Sequence, residues 1–310
     1  MVLGDLALDV VLAPARPLEP GTDVPGRVVL RQGGSAANVA RELAGRGVGT
    51  TLVCAVGRDR AGRALVAALR GVGVTVRAAR PAGVPTARIG IVIDASTGER
   101  SFVADRGAAD RLVPGDLRAG WFARADLLHL PAYSLLGSPL GEAGAAAVAL
   151  ARDAGARVSL DLASVAPLLA AGRAAAQALV RPVSPDLLFA TAAEAAAFLG
   201  EATLEGLLAF APLVVVKRGQ EGATALARAG TAAGAAGDAT AALVLDVPTR
   251  PLAAADTTGA GDAFDAGFLA AWLAVPPTDA LRPAVIRRAV AAGHRAAARH
   301  LTGLRPELAL

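Results

Sequence analysis

Short apolar runs alternate with longer runs rich in Ala, Leu and Arg along most of the 310 residues, and this rhythm limits the fold more than any other feature. "VLGDLALDVV" (2–11) reads as a strand, and "SAANVARELAGRG" (35–47) as a helix closed by glycine. "TTLVCAVG" (50–57) and "RAGRALVAALRGVG" (60–73) repeat the pair. Then come "ADLLHLPA" with a helix near 139–154, "RVSLDLA" with 166–180, "DLLFATAAEAAAFLG" and "LVVVKRG". Two helices, 261–274 and 282–301, complete the pattern. Buried strands alternating with helices at this spacing predict an α/β fold of one domain over 1–310, a mostly parallel sheet with helices on both faces.

Two segments break the rhythm. Residues 13–32 are rich in Pro, Gly and short Val runs. Residues 84–104 alternate like an antiparallel hairpin turning at "STGE". Both are expected to project from the core as a small β-sheet lid. "RAGTAAGAAGDATA" (228–241) reads as a loose loop. Aromatics are only 3% of the chain, so Leu, Val, Ala and Ile must fill the core. Cys54, the only cysteine, sits in an apolar strand and reads as a small buried hydrophobe.

The charge pattern excludes several classes of partner. The basic excess is arginine spread through helices, with no basic run interleaved with aromatics, so no nucleic-acid partner is expected. The opening stretch has acids inside its apolar run and reads as a strand rather than a signal peptide. "VAPLLAAGRAAAQALV" is broken by Arg173, and no stretch is long enough to span a bilayer. A cytoplasmic protein is expected. The G-x-x-x-x-G-K-[ST] loop, the G-x-S-x-G elbow and the G-x-G-x-x-G fingerprint are all absent.

Three features carry chemistry. In "DTTGAGD" (256–262), Asp262 follows Gly259, Ala260 and Gly261 at the start of an apolar helix. Backbone N–H groups at a helix N-terminus suit an anion, and small residues let a phosphate approach them. A carboxylate there can take a hydroxyl proton while the amides stabilise a phosphoryl group in transfer. The plain alternative is an N-capping Asp. In "GGSAAN" (33–38), Gly33 and Gly34 allow close backbone approach, and Asn38 offers a donor and an acceptor for ligand hydroxyls. The plain alternative is an ordinary strand-to-helix turn. Asp9, placed at the end of the first parallel strand, would face the ligand crevice, unless it is only a cap or turn residue.

Together these motifs resemble the ribokinase-like (PfkB) carbohydrate kinase family. Gly33, Gly34, Ala36, Asn38, Ala40, Gly47 and Gly57 fall at the spacing of its N-terminal signature. Asp256, the "GAGD" run, Ala266, Gly267 and Phe268 match its C-terminal one. The resemblance implies a three-layer α/β/α fold and ATP-dependent, Mg2+-dependent phosphorylation of a hydroxymethyl group. Asp262 would be the base, and the Gly259, Ala260 and Gly261 amides the anion hole. Asp9, Gly33, Gly34 and Asn38 would bind substrate. Asp256 and Thr258 would lie where many members hold a monovalent cation such as potassium. Lys217, Gly219 and Gly222 would flank the nucleotide; Lys217, the only lysine, reads more readily as a strand-end surface residue or an indirect contributor. Glu194 would help hold magnesium through water, although Thr191 replaces the family's usual asparagine.

The acceptor is less sharply indicated. A sugar acid of the 2-keto-3-deoxygluconate type loses its expected counter-charges: Ala104 replaces one arginine, and "DLASVAP" lacks the second. Arg106 reads as a lid-hinge or surface residue. A sugar phosphate would want a basic clamp, and the sequence displays none. A neutral sugar is expected, with a nucleoside as the alternative and Phe102 and Tyr133 as candidate pocket aromatics. Thr191 permits a catalytically silent binding protein; the intact "GAGD" argues for an enzyme. Edge strands of the lid favour pairing in a homodimer.

Overall fold

The computed structural model describes residues 1–228, 242–252, 256–303 and 306–310. The chain opens with β1 (Val2–Leu3), β2 (Ala7–Pro14), β3 (Gly26–Gly33), α1 (Ser35–Ala44), β4 (Thr51–Ala55) and α2 (Arg60–Gly71). β5 (Thr75–Ala79), β6 (Ala87–Ile93), β7 (Arg100–Asp105), α3 (Ala119–Phe122), β8 (Leu127–Pro131), α4 (Leu140–Asp153) and β9 (Arg157–Asp161) follow. Next are α5 (Val165–Leu168), α6 (Arg173–Val180), β10 (Leu187–Thr191), α7 (Ala192–Leu199), β11 (Leu213–Lys217) and β12 (Ala223–Arg228). β13 (Ala242–Val247), α8 (Ala260–Leu273) and α9 (Pro283–Thr302) complete the order.

Among the described residues, nine strands form one sheet in the order β13-β12-β11-β10-β9-β8-β1-β4-β5. It is parallel from β11 to β5, with β12 and β13 added antiparallel. Helices cover both faces, as the buried strands require. One face packs against α1, α2, α8 and α9 through Val39, Leu65, Phe268 and Ile286. The other packs against α4, α6 and α7 through Ala147, Val180 and Phe198. Phe189 of β10 meets Phe264 and Phe268 of α8 edge-on, with centroids 6.5 and 5.3 Å away. This fixes α8 against the sheet and thereby the position of its N-terminus. Cys54 is fully buried in β4, and burial pushes its thiol up to about 12, consistent with an inert core residue.

Four strands of the described residues form a second sheet, β3-β2-β6-β7. The run 2–11 is therefore not one strand. It breaks at Gly4–Leu6, and Ala7 onward leaves the main sheet to pair with β3 and β6. The small sheet includes 7–14 as well as the expected parts of 13–32 and 84–104. The expected helix over 166–180 splits into α5 and α6, with Gly172 at the N-cap of α6. Beyond Arg228, the loop expected over 228–241 lies outside the described residues.

Candidate active site

The parallel strands end on one edge. Pro131 aligns with Asp161, Asp161 with Phe189, and Thr191 with Lys217. Asp161, Thr191 and Lys217 thus terminate β9, β10 and β11 side by side. The "DTTGAGD" loop descends on this edge, and α8 starts with Gly259 as its N-cap at φ 78°. A Cβ on Gly259 would also lie 3.0 Å from His300 Nε2, so conformation and space both call for glycine.

Asp262 does not cap its helix. Ser35 Oγ donates to its Oδ1 at 2.7 Å, and Asn38 Nδ2 donates to its Oδ2 at 2.8 Å. The two motifs that lie far apart in sequence therefore meet through direct hydrogen bonds. Burial raises the Asp262 carboxyl to about 6, against the pull of the Asn38 and Ser35 donors. Of the neighbouring amides, the Ala260 N–H is taken by Thr257 O at 3.2 Å, so it is not an open anion-hole donor as expected. The Gly259, Gly261 and Asp262 N–H groups have no acceptor among the described residues. They lie at the positive end of a 14-residue helix.

Beneath this loop is a buried ionic cluster. Lys217 Nζ contacts Asp161 Oδ2 at 3.0 Å and Asp265 Oδ1 at 3.1 Å. It lies 3.5 Å from where a Cβ on Gly261 would be. Lys217 ends its strand but is not a surface residue: its side chain is 10% exposed. Burial alone would lower its pKa, but Asp161, Asp265 and Glu194 outweigh that and raise it. Asp265 is driven well up by burial and by Asp161. Asp161 is held low, because Lys217 and its hydrogen-bond partners overcome burial. Lys217 is thus the cation that two enclosed carboxyl groups share. Glu194 is also enclosed, not solvated. Its Oε2 accepts from Thr191 N at 2.8 Å, and its N–H donates to Thr191 Oγ at 3.2 Å, a reciprocal cap. Burial and Asp161 raise its pKa.

A cavity of about 830 Å3 opens between the small sheet, α1, the end of α9 and the 256–258 loop. Asp9 lines it, but from β2 rather than from a core strand end. The place expected for Asp9 belongs to Asp5, which follows β1 and accepts from Ala36 N at 3.2 Å. A Cβ on Gly33 would fall 1.9 Å from Asp9 Oδ1, so glycine there makes room for this carboxylate. Gly34 is the N-cap of α1. Asn38 lines the cavity with its amide engaged, to Asp262 and, through Oδ1, to Gln32 Nε2 at 3.0 Å. Asp256 holds Arg31 at 3.1 Å and Arg100 at 2.8 Å, and Arg100 also reaches the Thr257 and Thr258 hydroxyls. His300 Nε2 donates to Thr258 O at 2.8 Å. Gly219 and Gly222 form the turn between β11 and β12, on the same edge as Lys217.

Two expected aromatics are not brought to this cavity. Phe102 is 58% exposed on β7, and Tyr133 stacks under Arg106, whose guanidinium lies 5.1 Å from its ring centroid. Arg106 pairs with Asp110 and Asp5 just after β7. Arginines gather where the sequence displayed none together, three of them paired to acids. Arg31, Arg41, Arg46, Arg100 and Arg299 converge on the cavity wall. Asp161, Asp265, Ser35, Arg100 and His300 were missed as site residues. An acid closing the buried strand "RVSLD" and a second acid, one turn after Asp262, inside an otherwise apolar helix were readable signals for the first two.

The model for the pfkB family carbohydrate kinases matches residues 1–304. An ATP-dependent ribose-1-phosphate kinase from Halopiger xanaduensis is 31% identical over 242 residues, 78% of this chain and 73% of that one. A fructokinase from Klebsiella pneumoniae is 31% identical over 279 residues, 87% of this chain and 82% of that one. Among solved structures, a putative ribokinase II from E. coli in complex with ATP and Mg2+ superposes with a TM-score of 0.78 at 19% identity, over 98% of this chain and 93% of that one. The fold, the joined motifs and these matches agree: this chain belongs to the pfkB family of carbohydrate kinases, which are phosphotransferases.

Proposed function

We propose that the protein transfers the γ-phosphoryl group of ATP to the hydroxymethyl group of a small sugar, with Asp262 as general base. The observation that carries this reading is the carboxylate of Asp262, oriented by Ser35 and Asn38 beside amides without acceptors among the described residues. With its pKa near 6, it is ionised at neutral pH yet basic enough to accept a hydroxyl proton. The Gly259 and Gly261 amides and the α8 dipole stabilise the charge that builds on the phosphoryl oxygens.

The residues present fit both expected cofactors. Amides at a helix start with no acceptor among the described residues suit a phosphate, and Glu194 is an enclosed acid beside Asp161 whose ionised form calls for a cation. When bound, ATP supplies the phosphoryl group and Mg2+ neutralises its charge. Glu194 would hold the metal through water, Thr191 fixes the Glu194 carboxylate, and the Gly219–Gly222 turn would flank the nucleotide. Lys217 acts from below by holding Asp161 and Asp265. Arg100 and Arg31 occupy the Asp256 carboxylate from the small sheet. That contact would tie lid position to the anion-hole loop, next to where a monovalent cation such as potassium is proposed.

The test is ADP release across a panel of sugars and nucleosides, with Mg2+ and with or without potassium. ADP formation that depends on an acceptor is expected. No turnover with any acceptor would favour a silent binding protein. A nucleoside acceptor has less support, because Phe102 and Tyr133 lie away from the cavity. No helix among the described residues is long and apolar enough to cross a membrane. The lone buried thiol and the use of ATP suit a cytoplasmic setting. Val28, Phe102 and Val103 are 64%, 58% and 71% exposed on the small sheet, which favours pairing of two lids in a homodimer. Light scattering at micromolar concentration is expected to give twice the chain mass; monomer alone would remove the dimer.

A further inference from the structure

We infer that His300 is a positioning residue for the proposed phosphoryl transfer: by holding the Thr258 carbonyl, it keeps the Gly259 N–H turned outward as an anion-hole donor. The inference rests on the kinase reading for the reaction, but binding of a phosphoryl mimic is measurable without turnover.

The turn before α8 is supported from two sides. Arg31 and Arg100 reach it from the small sheet, through Asp256 and the Thr257 and Thr258 hydroxyls. His300 reaches it from the last turn of α9, a helix packed on α8 in the main core, where Phe264 meets His294 with centroids 5.3 Å apart. Any movement of the small sheet carries the arginines with it, whereas His300 stays with the core.

The ring of His300 is held on both sides. Its Nε2 donates to Thr258 O at 2.8 Å; a carbonyl oxygen only accepts, so this nitrogen carries a proton. Its Nδ1 lies 3.3 Å from Glu42 Oε1, and Arg46 holds Glu42 in turn. Burial pushes the Glu42 carboxyl up, but its hydrogen bonds to His300 and Arg46 prevail and hold it low. Glu42 follows Asn38 by one turn of α1, so the helix that orients Asp262 also orients this ring.

The peptide between Thr258 and Gly259 is trans and planar, so its C=O and N–H point in opposite directions. Holding the oxygen towards α9 therefore turns the Gly259 N–H away from α9, and that N–H has no acceptor among the described residues. A Cβ on Gly259 would lie 3.0 Å from His300 Nε2 and 3.5 Å from Asn38 Nδ2, so the ring and the amide that orients the base both pack on this residue. Without the His300 contact, the 258–259 peptide can rotate and take the donor out of line. A misplacement on the order of 1 Å can cost about 10²-fold in rate.

Two variants of the whole protein separate this role from packing. His300→Ala removes the donor, whereas His300→Gln places an N–H close to the position of Nε2. With an acceptor that supports ADP release, His300→Ala is expected to lower kcat about 10- to 100-fold and to leave the KM for that acceptor within about threefold. His300→Gln is expected to recover most of the loss, with thermal melts establishing that both variants fold. Calorimetry of ADP and Mg2+, with and without aluminium fluoride as a mimic of the phosphoryl group in transfer, reads the same donor without turnover. Fluoride is expected to tighten ADP binding to the wild type, and His300→Ala to lose at least about tenfold of that gain while binding ADP alone as before. The inference is overturned if His300→Ala keeps more than about half of the wild-type kcat, if Ala and Gln lose activity equally, or if the fluoride gain is the same in both. Wild-type turnover that His300→Ala leaves unchanged would overturn the inference and leave the kinase reading standing. A fluoride gain lost in Ala and kept in Gln, with no ADP release from any acceptor, would do the reverse. A wild type with neither turnover nor a fluoride gain would overturn both.

Discussion

Lys217→Met is expected to destabilise the protein by about 3–5 kcal/mol at pH 8, a fall in melting temperature on the order of 10 °C. The substituted chain is nearly isosteric, so lost packing contributes little. What is lost is the cation between Asp161 and Asp265, both of which are almost wholly enclosed. In the wild type Lys217 holds Asp161 low although burial pushes it up. Without Lys217, burial prevails, and the folded-state pKa of Asp161 rises above its unfolded value. The folded variant then binds a proton that the unfolded chain releases, so its deficit shrinks as pH falls towards that unfolded value. Denaturant unfolding of both proteins at pH 8 and pH 5 checks this. A loss below about 1 kcal/mol, or one independent of pH, would contradict the balanced cluster.

Much of this architecture was readable from the sequence, for identifiable reasons. Strands such as β8 and β10 are buried on both faces and read as continuous apolar runs. α8 and α9 were placed within a residue or two because their neighbours break the pattern. Asp262 and Asn38 were readable because each closes or follows a run of small residues. Asp9 was misplaced because the apolar run 2–11 crosses the break at Gly4–Leu6 with no change of period. Local pattern cannot show that a chain leaves one sheet for another. The grouping of arginines was invisible for a related reason: Arg31, Arg41, Arg46, Arg100 and Arg299 come from four separate segments and line one cavity only when the small sheet folds over α1 and α9. Lys217 read as a strand-end residue because the two acids that enclose it come from β9 and α8.

Asp262→Asn is expected to lower turnover about 10²–10⁴-fold while leaving the fold intact. Asparagine keeps the shape of the side chain, and Ser35 can still hydrogen-bond to it. What disappears is the proton acceptor. Because burial raises the Asp262 pKa to about 6, its ionised form opposes folding at neutral pH. The stabilising contribution of the protonated acid is complete below the unfolded value near 3.8 and is lost as pH rises through about 6. The amide never ionises, so the variant is expected to melt at or above the wild-type temperature at pH 8. The same pKa predicts that wild-type turnover falls as pH drops below about 6, a limb the variant's residual rate should lack. The most direct test of the account is ADP formation by Asp262→Asn at saturating ATP and acceptor, measured beside its melting curve at pH 8. The account predicts a loss of about 10²-fold or more in a protein that melts no lower than the wild type. A folded variant that keeps more than roughly a tenth of wild-type turnover would contradict Asp262 as the base.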